Sequence, residues 1–340
     1  MKKNINHAII GCGRIAQNHY NAAIENNINI IACCDKDIEK AKAFAKKNNI
    51  PKYTDNYNEF IDDDEIDSIS VCTDHRSHTD IAKDFLDKKH IVIEKPLSSN
   101  LDIAKDFFEK SKNSKKIVTV ISQHRFDDCV NLVKNMVDDN IFGKITLVNA
   151  SLICHRDLSY YKDSYWRGTI DLEGGSTIIN QSFHMVDTLN YIFGLPKKVS
   201  SMNRNLDFEN IIDTEDTSVS ILDYESFLAT IVSTNTSIEE WKTSIKIIGT
   251  KGDIEFNIDF PEEILELNVD EKYLEQYKDK LCEIQNNYKK NLHNPANYYG
   301  LSHIRQFKNF KDAIEKNKKL KVTIDDALST QEFISEIYKR

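Results

Sequence analysis

The sequence predicts an α/β fold with two different sheets, a doubly wound parallel sheet first and then an α+β region with an open, mainly antiparallel sheet. Between residues 5 and 121, short apolar runs alternate with polar stretches of helix-forming residues, which is the pattern of βαβ units. After about residue 125 the apolar runs follow one another across short turns, as the strands of antiparallel sheets do. We therefore expect one domain over residues 1–123 and a second over residues 124–340.

The first predicted domain alternates strands with helices. Strands are expected at residues 6–10, 28–34, 68–73, 90–94 and 117–121. Helices are expected near residues 14–26, 37–48, 56–62, 77–88 and 100–112. Because ligands of open α/β sheets bind outside the carboxyl ends of the strands, the loops that follow these strands are the places to look for a site.

The second predicted domain contains more strands than helices. Helices are expected at residues 127–139, from the glycine pair 174–175 to Gly194, and near 301–316 and 325–339. Strands are expected at residues 145–155, 198–204, 217–223, 226–234, 242–249, 252–258 and 263–268. Residues 270–296 are polar, and we expect them to be irregular.

Composition narrows the class of protein. The chain has 340 residues, of which 40% are apolar and 29% charged, as in an ordinary soluble protein of two domains. Its net charge of −9 disfavours a nucleic-acid-binding surface, and no apolar run approaches the ~18 residues of a membrane helix. The start of the chain leads into a short strand rather than a signal peptide, and the seven cysteines include no Cys-x-x-Cys pair. We expect a cytoplasmic protein with reduced thiols and with neither a nucleic acid nor a membrane as partner.

The turn after the first strand, Gly11-Cys12-Gly13-Arg14-Ile15-Ala16, has the G-x-G-x-x-A pattern. Gly11 allows a tight turn, Gly13 lets backbone amides approach a pyrophosphate, and Ala16 allows the helix to pack closely on the strand. The helix that begins near Arg14 directs its N-terminal amides and its dipole at the phosphates. Because the pattern follows a strand and opens a helix, it predicts a dinucleotide-binding site.

An acidic residue, Asp35, ends the second predicted strand, about 20 residues beyond the glycine loop. Its carboxylate can accept hydrogen bonds from both ribose hydroxyls of NAD and would repel the 2′-phosphate of NADP. The adjacent Lys36 is a cation that could partly serve NADP, although a lysine facing solvent is the simpler interpretation. We expect NAD as the cofactor, with NADP less favoured.

A lysine in Glu94-Lys95-Pro96 follows a late strand of the parallel sheet. Proline disfavours a helical conformation for Lys95, so the chain turns there and the amine can project into the crevice where the nicotinamide would lie. Partial burial beside a cationic ring would suit this amine to proton transfer near neutral pH. The alternative is an ordinary Glu–Lys pair at a strand end.

A second candidate cluster lies in the segment Glu173–His184, where two glycines open a mostly apolar helix. A polar stripe runs along this helix, and Asn180 and His184 are four residues apart on it and hence on one face. A polar stripe on an otherwise buried helix should face a cavity. The alternative is that His184 is a hydrogen-bonded histidine in the core. Because the sequence also contains Lys95, we favour a catalytic role for His184.

With these segments assembled, the chain resembles the Gfo/Idh/MocA family of NAD(P)-dependent sugar and polyol oxidoreductases over nearly its whole length. The segments that carry the resemblance are Gly11–Ala16, Asp35, Thr73–His78, Glu94–Pro96, Gln123–Phe126, Tyr165–Gly168, the pair Asn180 and His184, Ile248–Gly252, and Tyr298–His303. The resemblance implies an N-terminal Rossmann domain and a C-terminal domain whose open sheet builds homodimers or homotetramers.

The resemblance also implies roles for individual residues. Lys95 and His184 match the family's catalytic lysine and histidine. Asn180 stands where the inositol-dehydrogenase branch has Asp and is similar to the nucleotide-sugar branch, in which Lys and His suffice. The resemblance and the glycine-loop pattern together imply the expected cofactor contacts, which are Gly11, Cys12, Gly13, Arg14, Ile15, Asp35, Lys36, Thr73, Asp74, His75, His78, Glu94, Lys95 and Gln123. No further ligand accompanies His75 and His78 at a zinc-like spacing, so we assign no metal.

Substrate selectivity is expected in the second domain, where cationic and aromatic side chains cluster in the sequence. Arg156 and Arg167 could each hold a carboxylate or phosphate through two hydrogen bonds, which would favour a sugar acid or nucleotide-sugar. For each residue alone, surface or core packing is the alternative. The expected substrate contacts are Lys95, Arg156, Trp166, Arg167, Asn180, His184 and His303.

The sequence therefore predicts an NAD-dependent dehydrogenase that takes a hydride from a secondary alcohol of a sugar, sugar acid, nucleotide-sugar or cyclitol. One alternative is epimerase or glycosidase chemistry in which the oxidation is transient. Another is a non-catalytic NAD-sensing regulator on the same fold, which the presence of both Lys95 and His184 disfavours.

Overall fold

A parallel sheet forms the centre of the first unit. A computed structural model of the chain describes residues 4–259, 261–291 and 300–339. Within these residues the sheet has six strands: β1 (Asn6–Ile10), β2 (Asn29–Cys34), β3 (Lys52–Thr54), β4 (Ser68–Val71), β5 (His90–Ile93) and β6 (Val118–Val120). Their spatial order is β3-β2-β1-β4-β5-β6, and every neighbouring pair is parallel. This is the strand order of the Rossmann fold, so the predicted α/β class is confirmed.

Four helices follow the first strands of this sheet: α1 (Ala16–Glu25), α2 (Ile38–Asn48), α3 (Ser77–Phe85) and α4 (Leu101–Ser111). Two of them begin at side-chain caps, since Asp37 accepts from the Glu39 N–H and Asn100 accepts from the Ile103 N–H. The strands are buried on both faces, as expected for a parallel sheet covered by helices on each side. The sequence analysis missed the short edge strand β3, and the helix expected near residues 56–62 is a 3-10 turn at Tyr57–Phe60.

A seven-stranded sheet forms the second unit within the described residues. Its strands are β7 (Ile145–His155), β8 (Lys198–Arg204), β9 (Thr217–Asp223), β10 (Leu228–Thr234), β11 (Thr236–Gly249), β12 (Asp253–Phe256) and β13 (Ile264–Asn268). The order is β13-β12-β11-β7-β10-β9-β8. All neighbours are antiparallel except β10 and β7, which are parallel. The prediction of a mainly antiparallel sheet is confirmed.

Four helices of this unit are α5 (Asp128–Asp138), α6 (Leu158–Lys162), α7 (Phe183–Phe193) and α8 (Glu271–Asn291), and α5, α7 and α8 pack against the sheet. Side chains of α5 and α7, such as Val133 and Phe183, share a core with Ile231 and Ile245 of the sheet. The opposite face of the sheet leaves apolar side chains exposed, including Val219 and Ile221 on β9. Among the described residues, no element covers this face of the sheet at Val219 and Ile221.

Helix α8 corrects the prediction that residues 270–296 are irregular, which is wrong for Glu271–Asn291; residues 292–296 lie outside the described residues. Tyr273, Tyr277, Leu281 and Ile284 recur at helical spacing and pack against the core of the second unit. The signal was hidden because the rest of the helix is highly polar. Strand β11 also begins earlier than predicted, before an irregularity in its pairing with β7.

The last two helices are α9 (Leu301–Lys316) and α10 (Ile324–Tyr338). The first unit comprises Met1–Gln123 and Tyr299–Gln331, and the second comprises His124–Tyr298 and Glu332–Arg340. The return of α9 to the first unit differs from the predicted division, and its cause is apolar packing. Phe307 and Phe310 are fully buried in the core formed by α1 and the parallel sheet.

Two further properties concern the chain as a whole. None of the helices in the described ranges combines the length and the apolar content needed to cross a membrane. All seven cysteines are free thiols, as predicted, and only Cys282 is exposed.

Candidate active site

The glycine loop that joins β1 to α1 has the geometry that its sequence predicts. Gly11 adopts a φ of +93°, and a Cβ at this position would lie 2.5 Å from the Cys72 carbonyl oxygen. Gly13 differs, because a Cβ there would meet nothing within 4 Å. The Cα of Gly13 therefore faces open space, which leaves room for a phosphate to approach the backbone amides.

Asp35 is tied to this loop at the end of β2. Its Oδ2 accepts from the Cys12 N–H at 2.9 Å, and its Oδ1 accepts from the Asp37 N–H at 3.0 Å. Each carboxylate oxygen has a second lone pair, so both can still accept from a ribose hydroxyl. A cleft of about 530 Å³ opens beside the loop and is lined by Cys12, Gly13, Arg14, Gln17, Lys40, Ala43, Phe44 and Lys47. The residues present fit the adenosine and pyrophosphate portions of NAD.

The loop after β4 carries the next predicted contacts. Asp74 accepts from both the N–H and the hydroxyl of Ser77 and so caps α3. His78 is buried, with Nδ1 2.8 Å from the Pro96 carbonyl oxygen and Nε2 3.2 Å from that of Thr73. Burial lowers the pKa of His78 despite these acceptors. His78 thus connects the loops after β4 and β5, and contact of Thr73, Asp74, His75 and His78 with a cofactor stays a prediction.

The segment after β5 carries Lys95, which is half-buried, and Glu94, which is buried. Glu94 Oε2 accepts from the Lys95 backbone N–H at 3.0 Å, and Oε1 lies 2.9 Å from His19 Nε2. His303 Nε2 lies 3.6 Å from the same oxygen. Burial opposes ionisation of Glu94, but the hydrogen bond from His19 and the nearby ring of His303 outweigh it and hold the pKa well below its usual range.

His303 was predicted to contact substrate, and the structure places it in the first unit with only 1% of its surface exposed. His19, Glu94 and His303 each offer a ligand atom, and these atoms lie within 4.8 Å of one another. The closest two atoms are already joined by the 2.9 Å hydrogen bond, so we interpret the group as a hydrogen-bonded cluster. Sequence patterns could not predict this cluster, because His19 lies 75 residues from Glu94.

In the second unit, the segment with Asn180 and His184 begins as a π-helical turn, Thr177–Gln181, before α7 starts at Phe183. The buried carboxylate of Glu215 accepts from the N–H groups of Ser176 and Ile178 and from the Tyr338 hydroxyl. The first N–H groups of a helix have no acceptor within the helix, so a carboxylate that accepts from them is stabilising. Glu215 therefore fixes the start of this segment.

Asn180 is held by two upstream residues. Its Nδ2 donates to Glu173 Oε1 at 2.5 Å and lies 3.3 Å from the Tyr160 hydroxyl. Glu173 is fully buried, and burial raises its pKa to about 8 even though it also accepts from the Gly168 N–H. The amide of Asn180 is therefore oriented by its neighbours, with its nitrogen directed at Glu173.

A second histidine lies beside His184. The ring of His124 is 4.7 Å from that of His184, centroid to centroid, in an edge-to-face arrangement. His124 Nδ1 is 2.5 Å from a carboxylate oxygen of the buried Asp127. The adjacent Arg125 forms a buried, bidentate ion pair with Asp187 of α7. These contacts hold the ring of His184 in place.

The side chains of both predicted substrate residues, Arg156 and Arg167, contact the ring of Tyr160. The guanidinium carbon of Arg156 is 4.9 Å from the centre of the Tyr160 ring, and that of Arg167 is 4.4 Å from it. Arg156 also donates to Gln181 Oε1 at 2.7 Å, and Arg167 stacks on Trp166 at 5.1 Å. Glu173 and Gln181 lie in the candidate segment but were not predicted as site residues. Tyr160 was missed, since it lies 20 residues before Asn180 and only the fold brings the two together.

Each unit thus assembles its own set of predicted residues. The first contains the glycine loop, Asp35, Lys95 and His303, and the second contains Asn180, His184 and the arginines. The convergence of Lys95 and His184 on one substrate remains a prediction.

Comparison with known proteins agrees with this geometry. Residues 5–122 match the profile of the oxidoreductase family with an NAD-binding Rossmann fold, and residues 130–255 match the GFO/IDH/MocA C-terminal domain. The myo-inositol 2-dehydrogenase of Thermotoga maritima is 26% identical over 310 residues, covering 84% of this chain and 87% of that protein. Oxidoreductase P35 of Formosa agariphila is 25% identical over 268 residues, covering 76% and 80%.

Solved structures share the fold of this chain. The WlbA dehydrogenase of Bordetella pertussis, in complex with NADH and UDP-GlcNAcA, superposes with a TM-score of 0.88 at 22% identity, covering 99% of this chain and 95% of that one. A levoglucosan dehydrogenase bound to NADH and levoglucosan gives a TM-score of 0.81 at 18% identity, with coverage of 98% and 96%. With both family profiles matched in order, the chain is an NAD-binding oxidoreductase that belongs to the Gfo/Idh/MocA family.

Proposed function

We propose that the protein oxidises a secondary alcohol of an acidic sugar, either a sugar acid or a nucleotide-sugar, with NAD as hydride acceptor. The observation that carries the proposal is the pair of arginines around Tyr160. Neither Arg156 nor Arg167 forms an ion pair with any carboxylate among the described residues, and the Nε–H of each is buried without a protein acceptor there.

The charge of this cluster supports an anionic ligand. Glu173 is the acid that interacts electrostatically with Arg167, and its raised pKa of about 8 leaves it mostly protonated at neutral pH. A protonated Glu173 does not neutralise the two guanidinium groups, so their positive charge remains near Asn180. Asn180 lies four residues before His184. Both arginines are half-buried, and each has a buried Nε–H without a protein acceptor among the described residues, so a substrate carboxylate or phosphate would stabilise them.

NAD, when bound, supplies a nicotinamide ring that accepts the hydride. The residues that would hold it are those of the glycine loop and Asp35. The open space at Gly13 would admit the pyrophosphate, and the spare lone pairs of Asp35 would accept from the ribose hydroxyls. The Lys95 amine would donate a hydrogen bond to the substrate hydroxyl oxygen, and the His184 imidazole would take the hydroxyl proton as the hydride leaves carbon. The half-buried amine and the ring held by His124 are suited to these roles.

The relatives support the same substrate class without fixing it. WlbA was solved with UDP-GlcNAcA, an acidic nucleotide-sugar, and the Thermotoga maritima relative is a myo-inositol 2-dehydrogenase. Asn180 favours the first kind of substrate over the second, because an amide cannot act as a carboxylate base. We therefore place the acidic sugar ahead of a cyclitol.

Paired substrates test the proposal. NADH formation should be followed with uronic acids and UDP-uronic acids, each against its neutral counterpart. We expect oxidation of the acid, and expect Arg156→Met and Arg167→Met to raise KM for it by about 10- to 100-fold, the value of a charged hydrogen bond. The matched control is Arg204→Met, an exposed arginine on β8. Equal use of acid and neutral sugar by the unmodified protein would refute the anionic class.

We also propose that the uncovered face of the second sheet mediates a homo-oligomer. Val219, Ile221, Leu228 and Met202 are apolar and exposed on neighbouring strands, and Met202 is 70% exposed. Association would remove this surface from water. Light scattering over a concentration series should show a dimer or tetramer that Ile221→Lys weakens, and a monomer at every concentration would contradict the idea.

A further inference from the structure

Five side chains of the first unit form a continuous hydrogen-bonded chain that ends at the Lys95 segment. From β4 through β1 and α1 to β5, it runs Ser68 Oγ to His7 Nδ1 at 2.7 Å, and His7 Nε2 to Ser70 Oγ at 2.7 Å. It continues from Ser70 Oγ to His19 Nδ1 at 2.8 Å, and from His19 Nε2 to Glu94 Oε1 at 2.9 Å. The two histidines and the two serines have no exposed surface.

Hydrogen-bond chemistry fixes the direction of this chain. An ionised Glu94 can only accept, so His19 Nε2 carries the proton, and Nδ1 of the neutral ring accepts from the Ser70 hydroxyl. The Ser70 oxygen then accepts from His7 Nε2–H, and His7 Nδ1 accepts from the Ser68 hydroxyl. One charge at Glu94 therefore sets the tautomer of both rings.

The buried surroundings agree with neutral rings beside an ionised acid. Burial lowers the pKa of His7 to about 3, and burial also lowers the pKa of His19. A buried carboxylate is stable only where donors compensate it, and here it accepts from His19 and from the Lys95 backbone N–H. The titratable and charged groups around Glu94 are His19 on α1, His303 on α9, Cys72 after β4, His78 on α3 and Lys95 after β5.

We propose that His19 is a positioning residue for Lys95. Its Nε2–H, with the tautomer set through Ser70 and His7, keeps the Glu94 carboxylate ionised and oriented. Glu94 in turn holds the backbone N–H of Lys95 and so fixes where the amine begins. The inference rests on the proposed function only in taking Lys95 as a catalytic residue.

The tautomers give a test that needs no substrate. In protein labelled with ¹⁵N-histidine, two-bond correlation spectra distinguish Nε2–H, Nδ1–H and doubly protonated rings, and His7→Gln and His19→Gln assign the signals. At pH 7 we expect both His7 and His19 as the neutral Nε2–H form. An Nδ1–H or doubly protonated His19, or a stoichiometric metal in the purified protein, would overturn the proposal.

Variants of His19 test the link to Lys95. His19→Leu removes the donor to Glu94, and we expect kcat to fall by about 10- to 100-fold, as small displacements of a reacting group do. We also expect the acid limb of its pH–rate profile to move towards neutral pH, because the uncompensated Glu94 takes up a proton. His19→Gln keeps an N–H donor and should restore both the rate and the profile.

The control for general destabilisation is Tyr20→Phe. It removes a hydrogen bond from the same helix to the Asn48 carbonyl and leaves the hydrogen bonds between Ser68 and Glu94 in place. A pH profile of His19→Leu that matches Tyr20→Phe would overturn the positioning role. If His19→Leu does not fold, Ser70→Ala takes its place. This variant removes the hydroxyl that sets the tautomer of His19, and we expect a smaller fall in kcat and a smaller shift of the pH–rate profile. An inactive parent protein with the expected tautomers would refute the proposed function and leave the hydrogen-bonded chain standing.

Discussion

Glu94 and Glu173 are the same residue type with nearly the same burial, yet they hold their protons in opposite ways. Glu94, in the first unit, accepts hydrogen bonds from His19 and from the Lys95 backbone N–H, with His303 3.6 Å away, and its pKa lies well below the ordinary value. Glu173, in the second unit, receives a backbone and an amide hydrogen bond, and burial raises its pKa to about 8. The difference shows that donors of the right kind, and not burial alone, decide the charge of a carboxyl group.

The comparison also gives the two carboxyls different tasks. Glu94 holds the backbone of Lys95, and Glu173 orients the amide of Asn180. Each supports one side of the proposed reaction, an ionised group behind the lysine and a neutral one near the arginines. Four experiments sharpen or break this division.

The largest effect is expected from the reacting groups themselves. Lys95→Met and His184→Ala should each lower kcat by ~10²–10⁴-fold, since a positioned acid–base group contributes that much, and NAD affinity should change little. The double variant should lose less than the product of the two losses, because the residues act as a unit. Steady-state kinetics against Lys88→Met, an exposed lysine on the same unit, provides the comparison. A near-normal kcat for His184→Ala from pH 6 to 9 would make His184 a packing residue.

Removing the charge of Glu94 should cost stability at neutral pH. Because its pKa is depressed in the folded protein, its contribution is present above the unfolded value of 4.5 and is lost as the pH falls through the lower folded value. We expect Glu94→Gln to lower Tm most at pH 7, with a gap to the parent that narrows below pH 5. Thermal melts over this range measure the gap, and a constant gap would mean that the charge is not involved.

Glu173→Gln should show the reverse sign. A folded pKa raised to about 8 means that the stability contribution is complete below pH 4.5 and is lost as the pH rises towards 8. Glutamine resembles the protonated acid and escapes this loss, so the variant should match the parent near pH 5 and exceed its Tm at pH 8 to 9. If Glu173→Gln melts below the parent at pH 8, the carboxyl is ionised in the fold and the contrast with Glu94 fails.

The smallest effect concerns Asp35, a half-buried carboxylate whose protein donors are two backbone N–H groups. Calorimetry should show tighter binding of NAD than NADP, and Asp35→Ser should narrow the difference by about tenfold as hydrogen bonds to ribose are lost. The control is Asp55→Ser in the loop after β3. Equal or tighter binding of NADP by the unmodified protein would shift the recognition to Lys36.

The parts of the fold that the sequence predicts are those with local signals. The alternation of apolar and polar runs predicted the parallel sheet, and the glycine loop predicted the turn that Gly11 makes. Helix α8 was missed because most of its 21 residues are polar, so the apolar side chains that pack against the core gave too weak a periodicity. Its packing against the core depends on partners far away in the chain.

The same distinction applies to the site. Lys95 and His184 were predicted because each sits in a short recognisable segment, and their catalytic roles remain to be tested. The pairing of His19 with Glu94, of Glu173 with Asn180, and of His124 with His184 joins residues whose neighbours carry no mark of the contact. Such pairs are products of the fold, and only coordinates reveal them.

The return of Tyr299–Gln331 to the first unit has a consequence for inheritance. The cofactor unit is encoded by two separate stretches of the gene. Most of the other unit lies between them, and its last residues, Glu332–Arg340, follow the second stretch. A recombination event that replaced everything after residue 123 would remove Phe307 and Phe310 and expose the core that they fill. Exchange of the whole second unit between relatives by recombination therefore needs three crossovers, one at each place where the chain passes from one unit to the other.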